Sequence, residues 1–267
     1  MIHPTAIVHP DAKIGDGVQV GPHAVIDGGV ELGRDCVVGP NVYLTGRTVI
    51  GARNKFHSGC VIGGPPQDLK YKGDPTRLRI GDDNTFREHV TVNCSTTMEG
   101  VTVLGSHILI MAGAHVGHDC TVGDHVIMAN CSALGGHVTV QERAVLSACV
   151  VVHQFLRVGA LSMTQGGSAL SQDLPPYVTA RHGINLMCGL NIVGLRRAGF
   201  TAEERLELKK AYHLLFRSGT NLRQAVTEAR EKFTGARTKL LLDFVAATKR
   251  GVCRHVGANF GEDGSGE

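Results

Sequence analysis

A period of six residues runs through about two thirds of the chain. Apolar residues occupy every sixth position over residues 2–62, 80–92 and 104–170, with one lapse at Thr164. The fourth residue after each of these is mostly small or β-branched, and the residue directly after it is very often glycine. Positions four and six lie on one face of a strand, so each hexad is a short strand followed by a turn. A helix cannot produce a strict period of six.

The architecture that fits this period is a β-solenoid. Three hexads, or 18 residues, make one triangular coil, and we expect the coils to occupy residues 1–190. Two segments interrupt the repeat, at 63–79 and at 93–103, and are predicted to leave the coil. Loops on a rigid scaffold often carry function, so both are candidates for the site.

Helical periodicity replaces the hexads after Pro175–Tyr177. Thr201 and Glu204 form a capping-box signature ahead of an apolar-periodic stretch. We predict a helical domain over residues 191–255 and a disordered, Gly-rich acidic tail over 256–267. Three amphipathic helices are expected, over the ranges 201–217, 221–233 and 236–250.

Composition and charge exclude several classes of protein. The 267 residues carry a formal net charge of +3, and 19% are charged. No apolar run approaches the roughly 18 residues of a membrane span, and the first residues lack the basic and apolar regions of a secretory signal. We therefore expect a cytoplasmic protein with no integral membrane segment and no nucleic-acid partner. The eight cysteines form no Cys-x-x-Cys motif, which gives zinc ribbons no support.

The 18-residue coil brings three histidines to one edge of the predicted prism. His118, His137 and His153 fall on turns of successive coils, and Gly136 and Gln154 lie directly in line with His118. Acyl transfer requires a base that works near neutral pH, a carboxylate that holds its tautomer, and an amide N–H for an oxyanion. The sequence His118-Asp119 beside a glycine backbone provides all three. His107 and His125 are also 18 residues apart, and we interpret them as ordinary solvated turn residues.

The repeat resembles that of the hexapeptide-repeat proteins, which fold as left-handed parallel β-helices. Longer motifs are similar to those of the UDP-N-acetylglucosamine acyltransferase family, which begins lipid A synthesis. They cover roughly residues 1–250 and are Gln67–Tyr71, Asp74–Arg77, Ala114–Cys120, Gly136–His137, Val152–Phe155, Asp173–Tyr177, Asn191–Leu195 and Arg217–Gly219.

The resemblance implies a left-handed β-helix with a C-terminal α-helical domain. It implies transfer of a 3-hydroxyacyl group from acyl carrier protein to the glucosamine 3-hydroxyl of UDP-N-acetylglucosamine, by a homotrimer with no metal or dissociable cofactor. His118 would be the general base, Asp119 would orient it, and the Gly136 amide would stabilise the oxyanion. Gly166 would lie at the far end of the acyl groove. The residues implied to hold the sugar nucleotide are Asp68, Lys70, His137, His153, Gln154, Asn191 and Arg197.

The chain departs from the family pattern in two places. The loop at Asn93–Thr96 lacks the arginine that is common there, and Val193 stands where an acidic residue often follows. We expect weaker or rearranged nucleotide contacts, with His118 and Asp119 untouched.

Three alternatives to this function remain open. A γ-class carbonic anhydrase shares the β-helix and binds zinc through three histidines. A transferase with a 3-amino sugar nucleotide as its acceptor would have the same sequence features. A non-catalytic β-helix would lack both the Lys70 loop and the His-Asp pair.

Overall fold

The computed structural model describes residues 1–256 and confirms the left-handed parallel β-helix with a C-terminal α-helical domain. Three sheets of 10, 8 and 11 strands form the faces of a triangular prism. Neighbouring strands are parallel throughout the repeat, because each coil returns to the same face in the same direction. The predicted tail over 256–267 lies outside the described residues, apart from Val256.

The strands of each face follow one another along the prism. The first face contains Ile7–Val8, Val25–Ile26, Tyr43–Leu44, Val61–Gly64, Thr91–Asn93, His115–Val116, Ala133–Leu134, Val151–Val152, Ser168–Leu170 and Gly183–Ile184. The second contains Lys13–Ile14, Val30–Leu32, Arg47–Ile50, Arg77–Ile80, Val101–Leu104, Thr121–Val122, Thr139–Val140 and Arg157–Val158. The third contains Gln19–Val20, Val37–Val38, Lys55–Phe56, Thr85–Phe86, Leu109–Ile110, Ile127–Met128, Val145–Leu146, Met163–Thr164, Val178–Ala180, Leu186–Leu190 and Arg254–His255.

The two interruptions are insertions between strands that keep their register. Val61 pairs with Thr91, and Thr91 pairs with His115, so these coils contain 30 and 24 residues where the regular coil contains 18. The segments outside the strands are 65–76 and 94–100, each shorter than the predicted 63–79 and 93–103. The difference arises because strand residues such as Leu78 turn their side chains into the core although charged neighbours obscure the pattern.

The interior of the prism is filled by the residues that recur every six positions. Phe56 and Phe86 stack in adjacent coils with ring centroids 4.9 Å apart. Thr164, the lapse in the period, is fully buried, and its hydroxyl accepts a hydrogen bond from the Ser147 N–H at 2.9 Å. A polar residue is therefore tolerated in the core because its hydroxyl is paired with the backbone.

Four helices follow the prism: α1 (Ile192–Arg197), α2 (Ala202–Phe216), α3 (Leu222–Lys232) and α4 (Ala236–Ala246). The predicted capping box is confirmed, because Thr201 accepts from the Glu204 N–H and Glu204 accepts from the Thr201 N–H. The third predicted helix was expected to reach Arg250, but α4 ends at Ala246. The sequence pattern did not indicate α1, which is a single short turn and a half.

The segment after α4 returns to the prism. The Cys253 N–H donates to the Asp173 carbonyl at 2.9 Å, and Arg254–His255 pairs with Leu186–Leu190 on the third face. The buried Asp173 carboxylate also accepts hydrogen bonds from Arg157 and from Thr248, which ties the last coil to the segment that follows α4. Within residues 1–256, no helix is long and apolar enough to cross a membrane.

Candidate active site

The edge between the first and second faces stacks two columns of turn residues. His118, Gly136 and Gln154 form one column, and Asp119 and His137 lie in the next, with Phe155 below them. Asp119, His137 and Phe155 all have a positive φ, at 58°, 59° and 66°. This left-handed conformation is uncommon for non-glycine residues, and it recurs here because each coil makes the same tight corner.

His118 and Asp119 form a hydrogen-bonded pair at this edge. The distance from His118 Nδ1 to Asp119 Oδ2 is 2.9 Å, and each side chain is only 11% exposed. His137 Nε2 lies 3.5 Å from the same carboxylate oxygen. With the proton of His118 on Nδ1, Asp119 accepts it and leaves Nε2 as a free base.

Asp119 is held by donors from the 94–100 loop of the coil above. Its carboxylate accepts hydrogen bonds from the Ser95 hydroxyl, from the Thr96 hydroxyl at 2.7 Å and from the Thr96 N–H at 3.2 Å. Burial by itself raises the pKa of this carboxyl, but the hydrogen bonds from Ser95, His118 and Thr96 outweigh burial and hold the pKa below its usual range. Asp119 is therefore an anion at neutral pH.

Gly136 leaves the space that the His118 ring occupies. A Cβ at this position would lie 2.3 Å from His118 Cε1 and 2.4 Å from Nε2, closer than non-bonded atoms approach. Among the described residues, the Gly136 N–H has no hydrogen-bond acceptor. The column thus places a free backbone donor beside the imidazole.

A cleft of about 450 Å³ opens on the first-face side of the edge. His118, Gly136, His153 and Gln154 line it, together with residues of the first face and of both loops, which include Gln67, Asn93 and His115. Burial, and then the nearby charge of His118, lowers the pKa of His115, whose Nδ1 lies 2.7 Å from the Thr91 hydroxyl. His115 is therefore a neutral wall of the cleft at pH 7.

The structure does not bring every candidate residue into this cleft. His137 lies around the edge, against Asp119 and stacked on Phe155 with ring centroids 4.5 Å apart. Asp68 and Lys70 lie in the 65–76 loop, where the Lys70 N–H donates to Asp68 Oδ1 at 2.9 Å, and neither lines the cleft.

Asn191, Arg197 and Gly166 lie at other edges. Asn191 caps α1, and its Nδ2 donates to the Leu161 carbonyl at the edge between the second and third faces. Arg197 is exposed at the end of the same helix. Gly166 is a turn residue at the edge between the third and first faces, so the interpretation of it as a glycine inside a strand is wrong.

Two residues of the site were missed by the sequence analysis. Ser95 and Thr96 donate directly to Asp119, so the expectation that changes at Asn93–Thr96 leave the pair untouched is wrong. The second insertion lengthens its coil to 24 residues, and 24 is the spacing from Ser95 to Asp119. A search at 18-residue spacing could not find this contact.

The zinc alternative predicts three histidines around one point. In residues 1–256, the one group of three or more side chains that could hold a metal ion is His118, Asp119 and His137, whose ligand atoms lie within 4.8 Å of one another. His153 is not part of that group. Because Asp119 already accepts hydrogen bonds from the 94–100 loop, the donor set is better suited to orienting an imidazole than to a three-histidine zinc site.

Comparison with known proteins gives consistent results over the whole chain. Residues 173–253 match the family described as Udp N-acetylglucosamine O-acyltransferase, Domain 2, and residues 29–64 match Bacterial transferase hexapeptide (six repeats). The chain is 46% identical over 259 residues to the acyl-(acyl-carrier-protein)–UDP-N-acetylglucosamine O-acyltransferase of Burkholderia lata, covering 95% of this chain and 99% of the relative. The enzyme of the same description from Thiobacillus denitrificans is 47% identical over 255 residues, with the same coverage.

Solved structures of such enzymes are also similar to this fold. The UDP-N-acetylglucosamine acyltransferase of Francisella novicida superposes with a TM-score of 0.91 at 34% identity, covering 97% of this chain and 95% of that one. The enzyme from Bacteroides fragilis gives a TM-score of 0.91 at 39% identity, covering 95% and 100%.

Proposed function

Because the chain belongs to the UDP-N-acetylglucosamine O-acyltransferase family, we propose that His118 is the general base that activates the sugar hydroxyl for acyl transfer. The enzyme transfers an acyl chain from acyl carrier protein to UDP-N-acetylglucosamine, the first step of lipid A biosynthesis. The acyl chain is a 3-hydroxyacyl group, and it goes to the glucosamine 3-hydroxyl. Both substrates are cytoplasmic, which supports a cytoplasmic enzyme.

The observation that carries this mechanism is the 2.9 Å hydrogen bond between His118 and the ionised Asp119. Asp119 holds the proton on Nδ1, so His118 Nε2 takes the proton of the sugar hydroxyl as its oxygen attacks the thioester carbonyl. The Gly136 N–H donates to the oxyanion of the tetrahedral intermediate. The intermediate then collapses, the carbon–sulfur bond breaks, and His118 returns the proton to the departing thiolate of the carrier.

The sugar nucleotide would lie in the cleft against His153 and Gln154. Asp68 and Lys70 would reach it from the 65–76 loop, and His137 would contact it at the edge. The cleft ends against the first face, along which an acyl chain would extend toward Gly166 at the next edge. No resident metal or cofactor takes part in these steps.

Asn191 and Arg197 would complete the site from a neighbouring subunit. They lie at a different edge of the same prism from His118. A homotrimer with cyclic symmetry places one edge of each prism against a different edge of the next, which would bring the two sets together. Exposed apolar residues on the flat faces support such packing, among them Ile7, Val151 and Ile184.

Subunit mixing tests the shared site. His118→Ala and Arg197→Ala trimers should each be nearly inactive, but when the two are unfolded together and refolded they should regain activity. In mixed trimers, some sites receive both intact residues. Activity that does not recover in mixtures proven to contain both variants would contradict the shared site.

An assay of the purified enzyme tests the reaction itself. UDP-N-acetylglucosamine and its 3-amino analogue are offered with acyl carrier proteins that bear 3-hydroxyacyl chains of several lengths, with and without a chelator. We expect acylated UDP-N-acetylglucosamine and stoichiometric release of the carrier thiol, unchanged by the chelator. Acylation of only the amino analogue would change the acceptor, and zinc-dependent hydration of carbon dioxide would replace the proposed function.

A further inference from the structure

The Asp119 carboxylate lies between two imidazoles. Its Oδ2 atom is 2.9 Å from His118 Nδ1 and 3.5 Å from His137 Nε2. The two rings are nearly perpendicular, at 88°, with centroids 5.2 Å apart. A rotation about the bond that carries the carboxylate would therefore transfer its contact from one ring to the other.

Two hydroxyls and one amide of the 94–100 loop hold the carboxylate on its outer side. The Ser95 hydroxyl donates to Oδ1, while the Thr96 hydroxyl donates to Oδ2 at 2.7 Å and the Thr96 N–H donates at 3.2 Å. Hydrogen bonds to an ionised carboxylate are stronger than those between neutral groups. Both carboxylate oxygens are thus fixed, and rotation would break contacts at each of them.

The loop is shaped to bring these hydroxyls to Asp119. Ser95 is fully buried, and a Cβ at Gly100 would lie 2.2 Å from its Oγ and 3.1 Å from Asp119 Oδ1. The Asp119 N–H donates to the buried Thr102 hydroxyl at 2.8 Å, which fixes the backbone from the same coil. A side chain at position 100 would separate Ser95 from the carboxylate.

We propose that Ser95 and Thr96 are positioning residues that hold the Asp119 carboxylate on His118 and away from His137. This inference rests on the proposed acyltransferase function. Through Asp119, the two hydroxyls keep the His118 proton on Nδ1 and keep Nε2 directed at the sugar hydroxyl. Neither residue needs to touch a substrate, so their loss should lower kcat and leave both KM values nearly unchanged.

The experiment compares variants of this loop in two backgrounds. Ser95→Ala/Thr96→Val removes both hydroxyls at nearly constant volume, and it should lower kcat by about 10- to 100-fold, the order expected when a catalytic group is displaced by about 1 Å. Thr96→Ser keeps its hydroxyl and should restore most of the activity when paired with wild-type Ser95. Thr97→Ala, in the same loop, removes a hydroxyl that accepts from the Gly100 N–H but does not contact Asp119, and should be nearly silent.

The second background is Asp119→Ala. If the two hydroxyls act through the carboxylate, Ser95→Ala/Thr96→Val should add less than about a two-fold loss of kcat there, because interacting residues are not additive. An equal loss in both backgrounds would assign the effect to loop shape and overturn the proposal, as would full activity of the double variant. Failure of the proposed function would instead appear as a wild-type enzyme that transfers no acyl group.

Discussion

Replacement of Gly136 by alanine is the sharpest available test of the His118 assignment. The added Cβ would lie 2.3 Å from His118 Cε1 and 2.4 Å from Nε2. Ordinary contacts between carbon atoms are about 3.5–4.0 Å, so the imidazole must retreat by more than about 1 Å. Since its bond to Asp119 is already at 2.9 Å, that retreat breaks the bond or turns Nε2 away from the cleft. We expect kcat to fall by about 10²- to 10³-fold.

The fold should survive this change, because the atoms in conflict belong to a turn side chain and not to the core. The assay is steady-state acyl transfer, accompanied by the thermal unfolding midpoint and the oligomeric state of Gly136→Ala. The same substitution in a His118→Ala background should cost almost nothing further. Wild-type kcat in a folded Gly136→Ala enzyme would refute the geometry of the pair, and a large additional loss in the His118→Ala background would mean that the methyl group disturbs the oxyanion donor instead.

Three further predictions concern the base, the carrier protein and the acyl chain. His118→Ala should fold normally and lose about 10²- to 10⁴-fold in turnover, whereas His107→Ala, on another edge and stacked on His125, should be nearly silent. Residues 191–267 contain 14 Lys and Arg against 9 Asp and Glu, so reversing exposed cations should raise KM for the acidic acyl carrier protein, but not for the sugar nucleotide, with a marked salt dependence. The cations to reverse are Lys209, Lys210 and Arg217, but not Arg205, which is half-buried and bonded to the Phe200 carbonyl. Gly166→Met should shift the preference toward shorter 3-hydroxyacyl donors, at roughly 0.8 kcal/mol for each excluded methylene, because the nearest atom to a Cβ there is Ala148 O at 3.4 Å and the side chain can be accommodated. An unchanged chain-length profile would show that Gly166 does not limit the groove.

The fold could be predicted from the sequence because one position in six faces the core of every coil. That constraint is local and repeated, so neither Thr164 nor two insertions obscure it. The columns of the active edge follow from the same spacing, which is why Gly136 and Gln154 could be placed beside His118. The bounds of the insertions were less accurate, since a strand such as Arg77–Ile80 alternates charged and apolar residues and has the composition of a loop.

The contacts of Asp119 with Ser95 and Thr96 could not be predicted in the same way. They depend on the length of an insertion, and this length becomes visible only when Thr91 is paired with His115. Asn191 presents a different problem, because the sequence places it after the coils and gives no sign of which edge α1 contacts. A repeat predicts what lies within the coil, while contacts made by segments that leave it depend on the tertiary structure.

The way the third face ends has a consequence for solubility. A solenoid of parallel strands has an open last rung whose free N–H and C=O groups could recruit the end of another chain and grow into filaments. Here Leu186–Leu190 runs antiparallel to Val178–Ala180 and interrupts the parallel ladder, and Arg254–His255 then covers it with a two-residue strand that carries an arginine. A reversed strand, a very short edge and a charge are three ways in which proteins discourage such growth. The segment that returns from α4 therefore acts as a guard against aggregation at that end of the prism.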